Sequence, residues 1–163
     1  MMTLMAKSQF VYVTYIRTTP EKLWSALTEP QFTRQYWGGG SNVSDWQAGS
    51  KWEHVHGGDH TSGCCTAGEV LESDPPRRLV MTWADPGAPD DSSCVTFEIE
   101  PIKDMVRLNV IHGGFKPGSV MAGKVSGGWP LVLSSLKSYL ETGEGIDIWA
   151  PSAPVTETAA VAV

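Results

Sequence analysis

The sequence predicts an α+β fold, a seven-stranded antiparallel sheet with its helices segregated from the strands. Three observations carry that prediction. One strand-like run, "QFVYVTYIR" (9–17), is followed by two helical patterns; six further strand-like runs fill residues 41–113; and an apolar period of 3.6 residues closes the pattern near the C-terminal end. Strands grouped in succession with helices set apart are the pattern of an α+β domain. The sheet must bury one face, and the closing amphipathic helix is the element available to cover it.

The first run is rich in β-branched and aromatic residues, as strands are. In "TTPEKLWSALTEP", Thr19 suits an N-cap, Pro20 the first helical position and Glu21 the positive end of the helix dipole. Leu23, Trp24 and Leu27 form the buried stripe, and Pro30 ends the helix. A second short helix, "PQFTRQYW" (30–37), stops at the glycine run 38–40. "SNVSDW" (41–46) and "SKWEHVH" (50–56) flank a hairpin turn. "CCTAGEVLESD" (64–74) ends at Pro75-Pro76, and "RRLVMTWA" (77–84) follows. Residues 85–93, "DPGAPDDSS", read as a polar loop. In "CVTFEIEP" (94–101), Val95, Phe97 and Ile99 alternate with Thr96, Glu98 and Glu100. In "DMVRLNVIHGG" (104–114), Val106, Leu108, Val110 and His112 share a face. The last helix carries Trp129, Leu133, Leu136 and Leu140 and ends at Gly143; its start is near Ser119 or near Gly128, the longer version containing Pro130.

One domain is expected over residues 1–145. Residues 146–163 form a tail, with Ile146, Ile148 and Trp149 as the residues able to dock. Twelve basic against eighteen acidic residues leave a net charge of -6, and the cations are scattered, which disfavours nucleic-acid binding. No apolar run approaches the roughly 20 residues of a membrane helix, so no membrane insertion is expected. "MMTLMAKSQF" carries no secretory pattern, and three cysteines, two of them adjacent, make no disulfide framework. A cytoplasmic setting follows as the simplest reading.

Several segments together resemble a known family: "VYVTYIRTTPEKLWSALTEP", "FTRQYW", "SDWQAGSKW", "GEVLESDPPRRLVMTW", "VTFEIEP" and "GGWPLVLSSLKSYLETG". In order and spacing they are similar to bacterial homologues of the C-terminal domain of the heat-shock protein 90 ATPase activator, within the START-like or Bet v 1-like superfamily. The resemblance spans about residues 9–145. It implies a helix-grip fold, a curved sheet wrapped around the long C-terminal helix, with two short helices between strands 1 and 2 and a cavity between sheet and helix.

"WEHVHGGDHTSGCC" (52–65) gathers His54, His56, His60, Cys64 and Cys65. Imidazoles and thiolates can hold zinc, but the spacing matches no zinc signature, so no metal or cofactor is expected. The sequence has no G-x-S-x-G elbow and no phosphate-binding glycine loop. The cluster reads instead as the polar edge of a ligand cavity. Trp52, His54, His56, Met81, Trp83, Phe97, Val110, His112, Trp129, Leu133 and Leu136 are the candidate lining, with Trp129 and Tyr139 as alternatives on the helix. Three functions fit: uptake of a small hydrophobic or aromatic molecule, which is favoured; a cyclase- or hydrolase-like enzyme moving a proton through a cavity histidine; and a protein-interaction module with a chaperone partner. A homodimer is left open.

Overall fold

Thr19 begins the first helix as its sequence demands. Its hydroxyl accepts the Lys22 N–H at 3.2 Å, and Pro20 occupies the first turn, where no backbone donor is needed. The computed structural model describes residues 8–56 and 64–148, the side chains of Cys64 and Cys65 excepted. Their order is β1 (Phe10–Ile16), α1 (Pro20–Thr28), α2 (Pro30–Tyr36), β2 (Gly40–Ser44), β3 (Lys51–His56), β4 (Cys64–Asp74), β5 (Arg78–Asp85), β6 (Ala88–Ile102), β7 (Met105–Gly113) and α3 (Val120–Thr142). The strands form one curled antiparallel sheet in the order β1-β7-β6-β5-β4-β3-β2, and α3 lies in its grip. This is the helix-grip α+β fold that the sequence predicts.

Alternation fixes the buried face. Leu79, Met81 and Trp83 on β5, Val95, Phe97 and Ile99 on β6, and Val106, Leu108, Val110 and His112 on β7 are all buried. The registers Phe97↔Val110 and Val95↔His112 set these rows side by side. Across from them α3 buries Met121, Val125, Trp129, Val132, Leu133 and Leu136. Leu140, expected in the same stripe, is only half-buried and lines a groove between the end of α3 and α1.

One local expectation is corrected, and one open choice is decided. Residues 85–93 are not a loop: Pro86 and Gly87 make a two-residue turn, Asp85 pairs with Ala88, and β6 runs on from there. Its polar residues lie beyond the core, where a strand needs no apolar row, and Ser93 is the first to turn inward. The final helix takes the longer form, beginning after Ser119 with Pro130 inside it. Gly143 caps its end with φ 87°, the left-handed conformation glycine tolerates best.

After α3 the chain turns back on the helices. Ser135 Oγ accepts the Ile146 N–H at 2.8 Å and bonds the Ile146 carbonyl at 3.0 Å, and Ile148 packs against the core. Trp149 and the remainder of the expected tail fall outside the described residues, as do His60 and the thiols of Cys64 and Cys65.

Candidate functional site

The Gly38-Gly39 pair, at φ 59° and 81°, turns the chain sharply from α2 into β2 and leaves Trp37 over the concave side of the sheet. There it meets Trp83 from β5 and Trp129 from α3. The Trp37 and Trp83 rings stack with centroids 6.2 Å apart, and Trp129 stands 5.5 Å from the first and 5.3 Å from the second. Trp52 lies behind Trp83 at 4.9 Å, its indole N–H donated to the Thr82 carbonyl at 2.8 Å. Rings at these separations attract through their quadrupoles as well as burying area.

Above this aromatic floor is a pocket of about 370 Å³, between β3–β5 and the first half of α3. Trp37, Trp83 and Trp129 line its base, and Met121, Val125 and Val132 its helical wall. His54, His56, Thr66, Asp85 and Lys124 supply the polar atoms. A wider groove, about 600 Å³, runs between α1, α2 and the end of α3, with Glu21, Lys22 and Glu29 along it. It lies outside the space between sheet and helix and has no aromatic floor of this kind.

Two histidines are held neutral. His54 sits opposite Asn42 across the β2–β3 ladder and donates its Nδ1 proton to Asn42 Oδ1 at 2.7 Å. Asn42 is itself fixed, its backbone N–H donated to Thr33 Oγ1 at 3.0 Å. The imidazole lies flat against Gly40, where any Cβ would fall 2.2 Å from Nε2. Burial first, and the neighbouring His56 second, push the His54 pKa down to about 4. The register of β3 shifts between His54 and Val55, so His54 is buried while His56 stands exposed at the rim.

His112, with none of its surface exposed, accepts the Trp129 indole N–H on Nδ1 at 3.0 Å. An indole N–H can only donate, so the ring proton sits on Nε2 and is donated to Ser93 Oγ at 2.7 Å. The serine hydroxyl in turn donates to the Trp83 carbonyl at 3.3 Å. Burial lowers the His112 pKa to about 4. Both ring nitrogens are committed to a chain that locks Trp129 to the sheet, which makes His112 a structural anchor for the pocket floor.

Of the sequence candidates, the structure brings His54, His56, Trp83 and Trp129 to the pocket. Trp52, Met81, Phe97, Val110, His112, Leu133 and Leu136 share the inward face but lie in the close-packed core behind it. Trp37, Met121, Lys124 and Val125 line the pocket and were not among the candidates. The signal for Trp37 was its place at the end of a short helix before glycines. Met121 and Val125 recur four residues apart upstream of Trp129, continuing its helical stripe. Among the described residues no three His, Cys, Asp or Glu side chains are grouped to hold a metal.

Residues 17–141 match the family model described as activator of Hsp90 ATPase homolog 1-like protein. Among solved structures, a protein from Mesorhizobium loti is 30% identical, with 82% of this chain and 96% of that chain covered and a TM-score of 0.67. The Aha1 dimer from Colwellia psychrerythraea is 20% identical over 85% of this chain and 99% of that one, with a TM-score of 0.68. An HSP90 activator from Plasmodium falciparum is 21% identical over 81% and 95%, with a TM-score of 0.66. No curated protein matches the sequence. The matched residues run from the end of β1 through nearly all of α3, and the chain belongs to the activator of Hsp90 ATPase homolog 1-like family.

Proposed function

We propose that the protein binds a small hydrophobic or aromatic molecule in the pocket between β3–β5 and α3. The observation that carries this reading is the aromatic floor of Trp37, Trp83 and Trp129 beneath an open volume of about 370 Å³. Small-molecule sites run to about 300–1,000 Å³ and are mostly apolar with a few fixed polar groups. A volume at the low end suits a compact ring system better than a two-tailed lipid. Indole faces offer stacking to a planar ligand, while His56, Thr66 and Lys124 offer polar contacts at its edge.

Binding fits the site better than proton-transfer chemistry. A general base works best with a pKa near the operating pH. His54 and His112 titrate at about 4, and His112 has both nitrogens in use. The test is titration of the protein with anilinonaphthalene sulfonate, followed by tryptophan quenching. Saturable quenching at one molecule per chain supports the reading. Gly128→Leu, which places a side chain into the pocket where a Cβ has open space around it, should abolish it.

A second reading rests on the family match and on the similar fold of the Plasmodium HSP90 activator: the protein engages a chaperone through its surface. Its assay is the ATPase rate of a purified Hsp90-type chaperone with and without this protein, and an unchanged rate counts against it. The dimer of the Colwellia protein supports a homodimer here, which light scattering would measure. The cytoplasmic setting and a part in stress response belong to the same proposal.

A further inference from the structure

The first half of α3 is a poor helix in the wrong place for a rigid wall. Residues 120–128, "VMAGKVSGG", contain Gly123, Gly127 and Gly128, and each costs helix stability relative to alanine. None of the three is there for close packing, since a Cβ at any of them would meet nothing within 4 Å. Pro130 follows inside the helix, so the Ser126 carbonyl lacks its intrahelical donor. Beyond Pro130 the helix changes character: no glycine occurs before Gly143, and the paired positions Val132, Leu133, Ser135 and Leu136 bury a broader stripe than the single positions Met121 and Val125 ahead of it. Yet Met121, Lys124, Val125 and Gly128 of the weak half line the pocket.

That half buries Met121 and Val125 against the core, and two polar ties, both to the β5–β6 hairpin, add to this packing. Asp91 Oδ1 accepts the Ser119 hydroxyl at 2.5 Å and Oδ2 accepts the Met121 N–H at 2.9 Å. These bonds hold the Asp91 carboxyl below the usual range. Across the mouth, Lys124 Nζ reaches Asp85 Oδ2 at 3.5 Å, while Asp85 Oδ1 accepts the Gly87 N–H of its own turn. The ion pair is exposed on both sides, the kind that holds weakly.

We infer that residues 119–128 are a lid, which swings about Gly127-Gly128 with Asp91 as its latch and admits ligand to the pocket. The inference rests on the pocket being the binding site, but the hinge can be tested without a ligand. Amide hydrogen exchange of the full chain at neutral pH reports local opening residue by residue. Amides of residues 120–128 should exchange at a common fast rate, with a step to slow exchange beyond Pro130. Gly123→Ala combined with Gly127→Ala, both on the exposed face, should slow the lid amides by about fivefold per glycine, about twenty-five-fold together. Residues 131–142 should be unaffected. Asp91→Ala should speed the lid amides about tenfold, as loss of a helix cap does.

Stopped-flow mixing with anilinonaphthalene sulfonate supplies the second measurement. In the double-alanine variant its association and dissociation should slow together, with affinity unchanged. Rates that stay the same overturn the lid as a gate. Exchange that decays turn by turn from Val120 is ordinary fraying and overturns the hinge, as does exchange of residues 120–128 in step with 131–142. Absence of saturable binding in the unmodified protein refutes the pocket reading instead, because a gate alters how fast ligand enters and leaves and not whether a site exists.

Discussion

Replacing His112 by glutamine tests the lock beneath the pocket, and its effect on the pH dependence of stability can be worked out in advance. In the folded protein the imidazole is neutral and titrates at about 4, against 6.5 in the unfolded chain. Between those values the unfolded state binds a proton that the folded state refuses, so stability falls as pH drops from 6.5 towards 4. At pH 7.5 the difference is negligible. At pH 4.5 the unfolded chain is almost fully protonated at this site and the folded one mostly is not. The loss between pH 7.5 and 4.5 comes to about 2–3 kcal/mol for this one group. Glutamine cannot titrate, so the variant should lack that part of the pH slope while keeping the part due to His54, which shifts in the same direction. The substitution itself should cost about 1–3 kcal/mol at pH 7.5, since it disturbs the acceptor for the Trp129 indole N–H at a fully buried position. Urea denaturation of both proteins at the two pH values measures the difference of differences. Equal pH slopes would refute the claim that His112 is held neutral. A nitrogen-15 spectrum of the imidazole should show the proton on Nε2, and a proton on Nδ1 would contradict the bond from Trp129.

Leu133→Ala and Leu136→Ala, at positions 1% and 0% exposed, should each cost about 2–5 kcal/mol in denaturation. Wild-type stability in both would mean that α3 presents a different face. Gly40→Ala should destabilise by about 1–3 kcal/mol, because the new Cβ falls 2.2 Å from His54 Nε2 and the ring cannot move without losing Asn42. Gly145→Ala should do the same through backbone, its Cβ falling 2.4 Å from the Gln35 carbonyl oxygen, so relief requires the segment after α3 to shift. Protein purified without chelator should contain zinc far below one per chain by mass spectrometry; stoichiometric zinc lost in His54→Ala would restore the metal reading of residues 52–65.

The sheet was legible in the sequence because period-two alternation is a direct imprint of burial, and it held on β5, β6 and β7 without exception. Alternation reports which face a residue takes, however, and not its depth. Phe97, Val110 and His112 share the inward face with Trp83, yet only Trp83 reaches the pocket, since depth depends on where α3 crosses the curled sheet. Residues 85–93 misled because polar composition signals a loop and a hairpin arm beyond the core equally well. The start of α3 was ambiguous for a physical reason. Gly123, Gly127, Gly128 and Pro130 all argue against helix, and the tertiary cap from Asp91 that overrides them lies 28 residues from Ser119 in the chain. Trp37 escaped notice because α2 is 7 residues long, too short to show a period.

A ligand site on this aromatic floor is tested most directly by equilibrium binding, read by tryptophan fluorescence and calorimetry with a planar naphthalene-type probe. The predicted result is saturable binding at one molecule per chain, weakened at least about tenfold by Trp83→Leu and lost in Gly128→Leu, as expected where aromatic contacts dominate an apolar site. Glu98→Gln, on the opposite face of the sheet beside Arg78, should bind as the wild type does. Binding that never saturates, or that survives Gly128→Leu unchanged, would contradict it.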